Sequence, residues 1–497
     1  MSFPLNIGVV HIIGSVLLLA VARTVYQVLR EPTAHVPGPW YSNWTRLVLD
    51  FHFLSGTAPG YVHALHQKVA GRPFAVGPVV RIGPNEVDFT DVTAVKAIYG
   101  VKESFRKSQF YRRVTAPGQE SLFTTINVDF HRRRRRLLAG PMSESSLKSL
   151  IPTVNGRVEL AVDKISAEMK ALGYADVCKW WLFMTTDTIG ELTFGDSFRM
   201  LELGRKNDYA HELEQIGLMA AIRSTFPTLV RLSHAMPFLP VVARTVEASR
   251  NMSRYASESL ERYRGLVAAS PDLVQQTLFT KVFQAEDEDK LTFDEIRNEA
   301  QSYIVAGSDT TANSLTYLTW SVCRNPGIRD ALVKELRTLP EAYTESQLRD
   351  LPFLNLVIDE ALRLYPAAPF VLPRSVPPGG AELAGYWLKE GDVVSAQTYS
   401  MHRDPVIFPD PDEFVPSRWA NPTQLMKDAY MPFGRGPRVC IGQHLAGIEL
   451  RLATARFFLA FPEARVSSHE GMSDEDMKPK MYFLLAPSGG RCLIQPA

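Results

Sequence analysis

The chain has few cysteines for its length. Its 497 residues include four, Cys178, Cys323, Cys440 and Cys492, and none belongs to a Cys-x-x-Cys pair. The two nearest in sequence, Cys440 and Cys492, are 52 positions apart. This spacing argues against zinc ribbons, iron–sulfur loops and a disulfide framework. It is typical of a reducing compartment, with one special thiol and three incidental ones.

The chain also lacks an excess of charge of either sign. Its 54 Lys and Arg residues against 53 Asp and Glu residues give a net charge of +1. Apolar residues make up 45% and charged residues 22%, which are ordinary values for a globular protein. The overall charge therefore gives no reason to expect a nucleic acid or an acidic partner. Internal repeats, low-complexity tracts and a Gly-x-Gly-x-x-Gly dinucleotide fingerprint are absent too.

Charged side chains are missing from the first 22 residues. The apolar run from Leu5 to Ala22 is nearly long enough to cross a bilayer as one helix. Arg23 and Arg30 follow it, so the positive-inside tendency would place the rest of the chain on the cytoplasmic side.

A cleaved signal peptide is the alternative for this run, because Ala20-Val21-Ala22 resembles a cleavage site. A basic segment before the apolar run is missing, however, which favours a retained anchor. We predict an anchor over residues 1–22 and a stiff, proline-rich hinge over residues 23–45. A single large domain would then occupy residues 46–497.

Ten residues near the C-terminus, 433–442, surround Cys440 with glycines and arginines. They read Phe-Gly-Arg-Gly-Pro-Arg-Val-Cys-Ile-Gly, and a helical pattern follows from Gln443 to Phe458. Backbone N–H groups in tight glycine turns, a helix N-terminus and nearby arginines all stabilise a thiolate. Arg435 and Arg438 can also pair with the carboxylates of a bound cofactor. A buried cysteine in an ordinary glycine turn is the alternative.

Short strand patterns precede a long series of helical patterns. Val79–Ile82 and Glu86–Thr90 flank a Gly-Pro-Asn turn, which predicts a hairpin. Thr292 and Glu295 predict a capping box, after which a helical pattern can run without interruption to Arg324. Because a helix of roughly 30 residues far exceeds the usual length of about 11–12, it would cross the whole domain. The predicted fold class is mostly α with small β-sheets.

The centre of that long helix reads Ala-Gly-Ser-Asp-Thr-Thr, at residues 306–311. Gly and Thr are weaker helix formers than Ala, and Ser or Thr hydroxyls can bond to carbonyls of the preceding turn. A carboxylate beside an alcohol at such a distortion, here Asp309 and Thr310, is a candidate proton relay. A mildly polar patch on a buried helix is the alternative.

Glu360 and Arg363 lie three positions apart, on one face of a helix. Exposed pairs of this kind contribute little to stability, but the apolar sequence around them predicts that this helix is buried. A buried pair needs further partners, and Arg418 is the candidate third member. We assign the three residues to structure and not to chemistry.

Residues 131–136 form the strongest basic segment, His-Arg-Arg-Arg-Arg-Arg. In a helix, His131 and Arg135 share one face while Arg133 points nearly opposite. One face can therefore donate to cofactor carboxylates while the other meets an acidic protein. Nucleic-acid binding is the alternative, but interleaved aromatic residues and a basic domain are both lacking.

Taken together, the Phe-x-x-Gly-x-Arg-x-Cys-x-Gly pattern, the acid–alcohol pair and the Glu-x-x-Arg helix resemble the cytochrome P-450 family of haem-thiolate monooxygenases. The resemblance covers nearly the whole chain and implies the cytochrome P-450 fold, microsomal type, with a single N-terminal transmembrane helix. It implies that Asp309 passes protons to Thr310, and that Glu360, Arg363 and Arg418 hold the segment leading to Cys440. The residues that it assigns to haem b are Cys440, as the axial ligand of the iron, and Phe433, His131, Arg135, Arg374 and Arg438. His131 is a departure, because many members have Trp there.

The resemblance also implies a substrate pocket, assigned to Phe123, Ser302, Tyr303, Ala306, Phe370, Val371 and Phe483. Most of these side chains are apolar, so a small apolar or amphipathic substrate is expected. Arg112 and Arg113 lie nearby in sequence, but no basic residue is an obvious partner for a substrate carboxylate. The overall sequence resembles fungal members of the family that act in polyketide, terpenoid or alkaloid pathways.

The implied reaction is insertion of one oxygen atom from O2 into a C–H bond or its addition to a double bond. Since no flavin domain is present, the electrons would come from a separate NADPH-cytochrome P-450 reductase, with cytochrome b5 as a second candidate donor. The outward arginines of residues 131–136 would dock that partner. The expected location is the endoplasmic reticulum membrane, with a single span and the catalytic domain in the cytoplasm.

Two other functions are open at this point. A haem-thiolate isomerase or dehydratase would rearrange an already oxidised substrate without a reductase, and would not need Asp309 and Thr310. A non-catalytic haem-binding membrane protein would show ligand-dependent spectra without turnover.

Deleting residues 1–22 tests the predicted anchor. We expect much of the truncated protein to move from the membrane pellet to the supernatant after ultracentrifugation, because the apolar run is removed. Its haem absorption spectrum should be unchanged. A truncated protein that sediments with membranes as fully as the complete chain would contradict the prediction.

Overall fold

Helices account for most of the described chain, and its strands are short. The computed structural model describes residues 7–67, 77–115, 118–228, 230, 240–269, 277–283 and 291–497. The α-helices are α1 (Ile7–Arg30), α2 (Leu47–Leu54), α3 (Ala58–His66), α4 (Val92–Ile98), α5 (Phe110–Val114), α6 (Val128–Ala139), α7 (Glu144–Leu147), α8 (Ile151–Leu172), α9 (Val177–Phe194), α10 (Met200–Leu203), α11 (Asp208–Thr225), α12 (Pro240–Ala269), α13 (Thr280–Phe283), α14 (Phe293–Arg324), α15 (Pro326–Leu336), α16 (Glu345–Arg349), α17 (Pro352–Leu364), α18 (Thr398–Met401), α19 (Gln424–Ala429) and α20 (Gln443–Ala460). The strands are β1 (Val79–Gly83), β2 (Glu86–Phe89), β3 (Arg106–Lys107), β4 (Ala175–Asp176), β5 (Arg374–Ser375), β6 (Ala381–Leu383), β7 (Tyr386–Leu388), β8 (Val393–Ser395), β9 (Arg465–Val466), β10 (Pro479–Met481), β11 (Leu485–Pro487) and β12 (Leu493–Gln495). The predicted class, mostly α with small sheets, is confirmed.

The strands form several small sheets around the helices. The largest has the order β1-β2-β8-β5-β3. The predicted hairpin is confirmed, because β1 and β2 pair antiparallel with Val79 opposite Phe89. At the far edge of this sheet, β3 and β5 pair antiparallel with Lys107 opposite Arg374. This last register places two cations side by side.

The long central helix, α14, begins and ends where the sequence predicts. Thr292 caps its N-terminus, and the reciprocal contacts of a capping box with Glu295 are both present. The helix lies along α9, and Gly307 marks their close approach. A Cβ atom at Gly307 would lie 2.7 Å from Cγ1 of Ile189, so a larger residue would force the two helices apart.

The N-terminal helix is longer than the predicted anchor. Residues 1–6 lie outside the described residues, and α1 continues through Arg30, eight residues into the segment predicted as a hinge. It stops before Pro32, because proline lacks an N–H group and fits only the first turn of a helix. Within the described ranges, the structure contains no helix that combines the length and the apolarity needed to span a membrane.

The segment after α1 is fastened to the sheet by one buried arginine. Nη1 of Arg81, on β1, donates to the carbonyl oxygens of Thr33 at 3.0 Å and Val36 at 2.6 Å. Its Nε donates to Oγ of Ser42 at 3.0 Å. A Cβ atom at Gly38 would lie 2.5 Å from the carbonyl oxygen of Arg81, so only glycine allows this approach.

Glu360 and Arg363 of α17 are fully buried and joined by two hydrogen bonds. Nε and Nη2 of Arg363 each lie 2.9 Å from one oxygen of the Glu360 carboxylate. Arg418 donates from Nε to the same carboxylate at 3.0 Å, and Trp419 donates from Nε1 at 2.9 Å. The backbone nitrogen of Val415 donates as well, at 2.8 Å, so five donors compensate the desolvation of one carboxylate, as a buried charge requires.

These side chains hold the segment that leads to Cys440. Nη1 of Arg363 donates to the carbonyl oxygen of His402 at 2.7 Å. Nδ1 of His402 lies 2.9 Å from the carbonyl oxygen of Arg363, and its Nε2 lies 3.0 Å from the backbone nitrogen of Met431. Burial lowers the pKa of His402 to about 3, so the ring is neutral. A neutral ring donates through Nδ1–H and accepts at Nε2, which joins α17 to the residues just before Phe433.

Glu360→Ala should destabilise the fold strongly. Removing the carboxylate leaves Arg363 and Arg418 buried without an anion, a loss of about 3–5 kcal/mol. We expect a lower Tm and a smaller yield of haem-loaded protein, measured by thermal unfolding and by absorbance. The control is Glu475→Ala, which breaks an exposed pair with Lys478 at the same spacing. It should cost less than about 1 kcal/mol, and equal losses in the two variants would refute the assignment.

Candidate active site

One cavity of about 1230 Å³ lies between α14 and the loop before α20. Two of the four cysteines, Cys178 and Cys440, contribute to its wall. Asp309 and Thr310 of α14 line it as well. The acid–alcohol pair and the glycine-rich loop, 130 positions apart in sequence, therefore face the same space.

The loop that carries Cys440 is shaped by two glycines. Gly434 and Gly436 have φ angles of 73° and 66°, in the left-handed region that favours glycine. A Cβ atom at Gly436 would lie 2.3 Å from the carbonyl oxygen of Tyr99. The backbone nitrogen of Cys440 donates to the carbonyl oxygen of Phe433 at 2.8 Å, which closes the loop. The thiol is thereby fixed just before the first turn of α20.

The surroundings of Cys440 suit a thiolate better than those of Cys178. The exposed surface of Cys440 faces the cavity deep inside the protein, and burial raises the pKa of its thiol. A hydrogen bond from the Gly442 backbone and the charge of Arg135 lower that pKa and so oppose the effect of burial. Burial and the nearby Asp176 raise the pKa of Cys178 to about 12. Of the two thiols, Cys440 is therefore the better candidate for an anionic metal ligand.

Five cationic or basic side chains gather on the wall near Cys440: Lys107, His131, Arg135, Arg374 and Arg438. Repulsion between these groups contributes to lowered pKa values at Lys107 and His131. Burial, Arg374 and Arg438 lower the pKa of Lys107 far below its usual value. Burial and four neighbouring cations, Arg438 first, lower the pKa of His131 to about 3, so its ring is neutral. Sequence reasoning missed Lys107, which stands on a strand of two residues.

This cluster has fewer anionic partners than it needs. Arg438 pairs with Glu103 and donates from Nη1 to the carbonyl oxygen of Thr125 at 3.1 Å. Its Nη2 is buried and has no hydrogen-bond partner among the described residues. Lys107 and Arg374 lie directly opposite each other across two strands, where like charges are destabilising. A bound acidic group would accept a hydrogen bond from Nη2 of Arg438 and would offset the repulsion between Lys107 and Arg374.

Arg135 connects the cluster to the thiol. Its Nη1 donates to the carbonyl oxygen of Val439 at 2.7 Å. Phe433 lines the cavity on the same side as Cys440. The six residues predicted to contact the cofactor, Cys440, Phe433, His131, Arg135, Arg374 and Arg438, thus share one cavity wall.

Other basic residues named from the sequence lie elsewhere. Arg435 turns away from the cavity and pairs with Asp428, Nη2 to Oδ1 at 3.6 Å. In the 131–136 segment, Arg132 and Arg133 are exposed, but Arg134 is buried. Arg134 pairs with Glu295 of α14 at 2.6 Å, an inward contact that a simple division of the helix into two faces did not predict.

The hydroxyl of Thr310 donates to the carbonyl oxygen of Ala306, one turn earlier, at 2.6 Å. Its oxygen keeps acceptor capacity towards the cavity. Asp309 and Lys206 have opposite effects on the pKa of the Cys178 thiol, the aspartate raising it and the lysine lowering it. Both charged groups therefore lie near the Cys178 thiol in the cavity wall. The sequence alone does not predict that Lys206 lies there.

Another carboxyl that borders the cavity is that of Glu449, on α20. It is buried beside Thr311, and burial raises the pKa of Glu449 to about 8. The group is therefore protonated at neutral pH and stays uncharged under the cavity. An isolated Glu in an apolar helix gives no signal of this kind in sequence.

Five of the seven side chains predicted for the substrate pocket line the cavity: Phe123, Ser302, Tyr303, Ala306 and Phe483. Phe370 and Val371 are not among its lining residues, which corrects the prediction. They are buried in a separate apolar cluster, where the ring of Phe370 stacks on Phe53 at 5.4 Å between centroids. Ala367, Ala368 and Leu372, on either side of them in sequence, face the cavity instead.

The chemistry of these groups fits a haem. No three His, Cys, Asp or Glu side chains come together as a metal site in the part of the chain that the structure describes. A thiolate at Cys440 is suited to a metal whose other ligands come from a bound organic ring. Iron porphyrin supplies such a ring, and its acidic side groups match the cation cluster with the orphaned Nη2 of Arg438.

Comparisons with known proteins agree with this class. Residues 44–494 match the family described as Cytochrome P-450. The chain is 49% identical over 480 residues to cytochrome P-450 monooxygenase tazI of Aspergillus terreus, covering 96% of each. It is 41% identical to cytochrome P-450 monooxygenase orf2 of Aspergillus niger, covering 97% of each. It is 34% identical to cytochrome P-450 monooxygenase stcB of Emericella nidulans, covering 93% of this chain and 88% of the relative. The chain belongs to the cytochrome P-450 family, as its sequence motifs predict.

Glu449→Gln should change how stability depends on pH. The folded carboxyl, with a pKa of about 8, keeps a proton that the unfolded chain loses above its ordinary value of 4.5. The free energy of unfolding of the wild type therefore falls between these pH values, by up to about 1.4 kcal/mol per pH unit from this group. The uncharged glutamine removes that contribution.

The measurement is the Tm of variant and wild type from about pH 5 to about pH 8. The Tm of the variant should rise relative to the wild type as the pH increases. Glu463→Gln, at an exposed position just beyond α20, is the control and should follow the wild type. A constant Tm difference between Glu449→Gln and the wild type would contradict the assignment.

Proposed function

We propose that this protein is a haem-thiolate monooxygenase that inserts one oxygen atom from O2 into an apolar small molecule. The observation that carries the proposal is the shared cavity of Cys440, the cation cluster and the Asp309–Thr310 pair. Haem b is the proposed cofactor, and when bound it supplies the oxidising chemistry, since thiolate ligation favours O–O cleavage. The chain's own residues supply position, charge and protons.

Cys440 would hold the iron of the cofactor through its sulfur. The Gly442 backbone and Arg135 favour the charged form of its sulfur. Arg374 and Arg438, with Lys107 as a further candidate, would hold the cofactor's carboxylates by charge-assisted hydrogen bonds. His131, being neutral, would contribute a single N–H donor.

Asp309 and Thr310 are the proposed proton path. With its hydrogen directed to the carbonyl oxygen of Ala306, the Thr310 hydroxyl can accept a hydrogen bond from a water molecule in the cavity. The neighbouring carboxylate can replace the protons that this water gives up. A positioned acid of this kind typically contributes about 10²–10⁴ in rate.

The proposed substrate is a small apolar molecule of fungal secondary metabolism, of polyketide, terpenoid or alkaloid type. Apolar side chains such as Phe123, Leu372 and Phe483 cover much of the cavity wall. The relatives named above are monooxygenases of Aspergillus and Emericella, which are filamentous fungi. The cavity of about 1230 Å³ would hold the haem and the substrate together.

The proposed electron donor is an NADPH-cytochrome P-450 reductase, with cytochrome b5 as an additional candidate. Arg132 and Arg133 are exposed on α6, the helix whose other face carries His131 and Arg135. They offer positive charge for an acidic partner close to the cofactor. The proposed location is the endoplasmic reticulum membrane, supported by the uncharged first 22 residues and the exposed Leu18 and Leu19.

Thr310→Ala tests the proton path. In a system with reductase and NADPH, and with an apolar ring compound that the wild type hydroxylates, the product formed per NADPH should fall about tenfold or more. Hydrogen peroxide released per NADPH should rise, because the water that supplies protons is no longer held by the Thr310 hydroxyl. The yield of haem-loaded protein should not change.

Thr316→Ala is the matched control. Thr316 lies on the same helix and makes the same type of bond, to the carbonyl oxygen of Ala312 at 2.8 Å, but it is outside the cavity wall. This variant should couple NADPH to product as the wild type does. Unchanged coupling in Thr310→Ala would remove that residue from the proton path. Conversion of substrate by the wild type without NADPH and O2 would instead favour an isomerase or dehydratase.

A further inference from the structure

Helix α11 places an arginine in the wall of the same cavity. Arg223 lies one turn after Met219 and Ala220, and all three line the cavity. Positions three and four apart share one face of a helix, so this side of α11 is directed at the cavity. Arg223 is only partly exposed, and burial lowers the pKa of its guanidinium.

Arg223 has no anionic partner within the described ranges of the chain. No hydrogen bond or ion pair joins it to another described residue, and no carboxylate raises its pKa. Arg157 shows the usual situation of a partly buried arginine, where Glu191 and Glu202 pair with the guanidinium and raise its pKa. A partly buried cation without such a partner loses hydration without recovering it.

The four carboxyl groups in the cavity wall are those of Asp176, Glu299, Asp309 and Glu449, and none of them raises the pKa of Arg223. Glu299 accepts from the backbone nitrogen of Leu122 at 2.8 Å, and Asp176 accepts from that of Cys492 at 3.0 Å. Glu449 contacts Thr311 and is uncharged at neutral pH. The missing anion for Arg223 is thus not supplied by these groups.

The wall around this cation is suited to an apolar body. Leu182, Met219 and Val305 line the cavity along with the aromatic rings of Phe123 and Phe483. A ligand that satisfies both features has an apolar skeleton and one negatively charged oxygen group. A neutral hydrocarbon would leave Arg223 desolvated and unpaired.

We propose that Arg223 binds an oxyanion of the substrate, a carboxylate or an ionised phenol, and thereby directs the apolar remainder towards Cys440 and Thr310. This inference rests on the proposed function and narrows its substrate class to acidic apolar molecules. The guanidinium stays charged and offers two parallel N–H donors, which match the two oxygens of a carboxylate. Sequence reasoning had found no basic residue for this role.

Pyrene derivatives, which are fluorescent, test the proposal by direct binding. The probes are 1-pyrenebutyrate, its uncharged methyl ester, and 1-hydroxypyrene measured below and above the pKa of its hydroxyl. The wild type should bind 1-pyrenebutyrate more tightly than the ester. Arg223→Gln should weaken binding of the acid about tenfold or more, the usual effect of losing a charge-assisted hydrogen bond, while binding of the ester changes less than about twofold.

The hydroxypyrene arm separates the two kinds of oxyanion. Tighter binding of its ionised form, lost in Arg223→Gln, assigns the site to phenolates as well as carboxylates. Selectivity for the acid alone assigns it to carboxylates. Arg223→Lys keeps the charge without the paired donors and should give an intermediate affinity. Arg113→Gln removes an exposed cation outside the cavity wall and should behave as the wild type.

Equal affinities of the wild type for acid and ester would overturn the proposal, as would failure to bind either probe or an Arg223→Gln variant that keeps the preference for the acid. The carbonyl difference spectrum of each preparation is recorded first. A preparation without a thiolate-type spectrum would refute the proposed function itself. A normal spectrum with no selectivity for the acid would refute only the role of Arg223.

Discussion

The proposed function depends on keeping one negatively charged sulfur, that of Cys440, inside the protein. Burial alone disfavours the thiolate of Cys440, so its surroundings must offset that cost. The Gly442 backbone and Arg135 lower the pKa of this thiol against the larger effect of burial, and the two left-handed glycines shape the loop that fixes the sulfur. The loop also depends on a residue distant in sequence, because the backbone of Tyr99 lies so close to position 436 that only glycine fits there. The buried network around Glu360 then fixes the approach of the chain to this loop.

A second constraint is the positive charge assembled beside the thiol. Lys107 and Arg374 oppose each other on neighbouring strands, and Arg438 keeps a buried N–H without a partner among the described residues. A protein optimised for stability alone would not retain this arrangement. The cation cluster is explained if an acidic cofactor binds there and supplies the missing negative charge. Binding of the cofactor would then stabilise the folded protein.

Much of this was predictable from the sequence where the signals are local. The capping box at Thr292 and the end of α14 at Arg324 follow from short-range rules, and both are confirmed. The cysteine loop combines glycines, arginines and a helix start within ten residues, so those residues alone predict its chemistry. The expected position of Asp309 and Thr310 beside the cofactor followed from the family resemblance, and both residues line the cavity.

The misses share a physical cause, because each depends on contacts distant in sequence. Lys107 belongs to the cation cluster through pairing with a strand more than 250 positions away. Arg134 points inward because it pairs with Glu295 of α14. Phe370 was assigned to the pocket from the family resemblance, which does not tell which side of that segment faces the core. Arg223 lies on a helix whose orientation only the tertiary fold determines.

The identity of the iron ligand is the claim on which the account depends, and Cys178 is the alternative thiol because it borders the same cavity. The most direct measurement is the carbonyl difference spectrum of the reduced protein in Cys440→Ser and Cys178→Ser variants. If Cys440 is the ligand, the thiolate-type Soret band is lost in Cys440→Ser and kept in Cys178→Ser. A band that survives the first substitution, or disappears with the second alone, would contradict it.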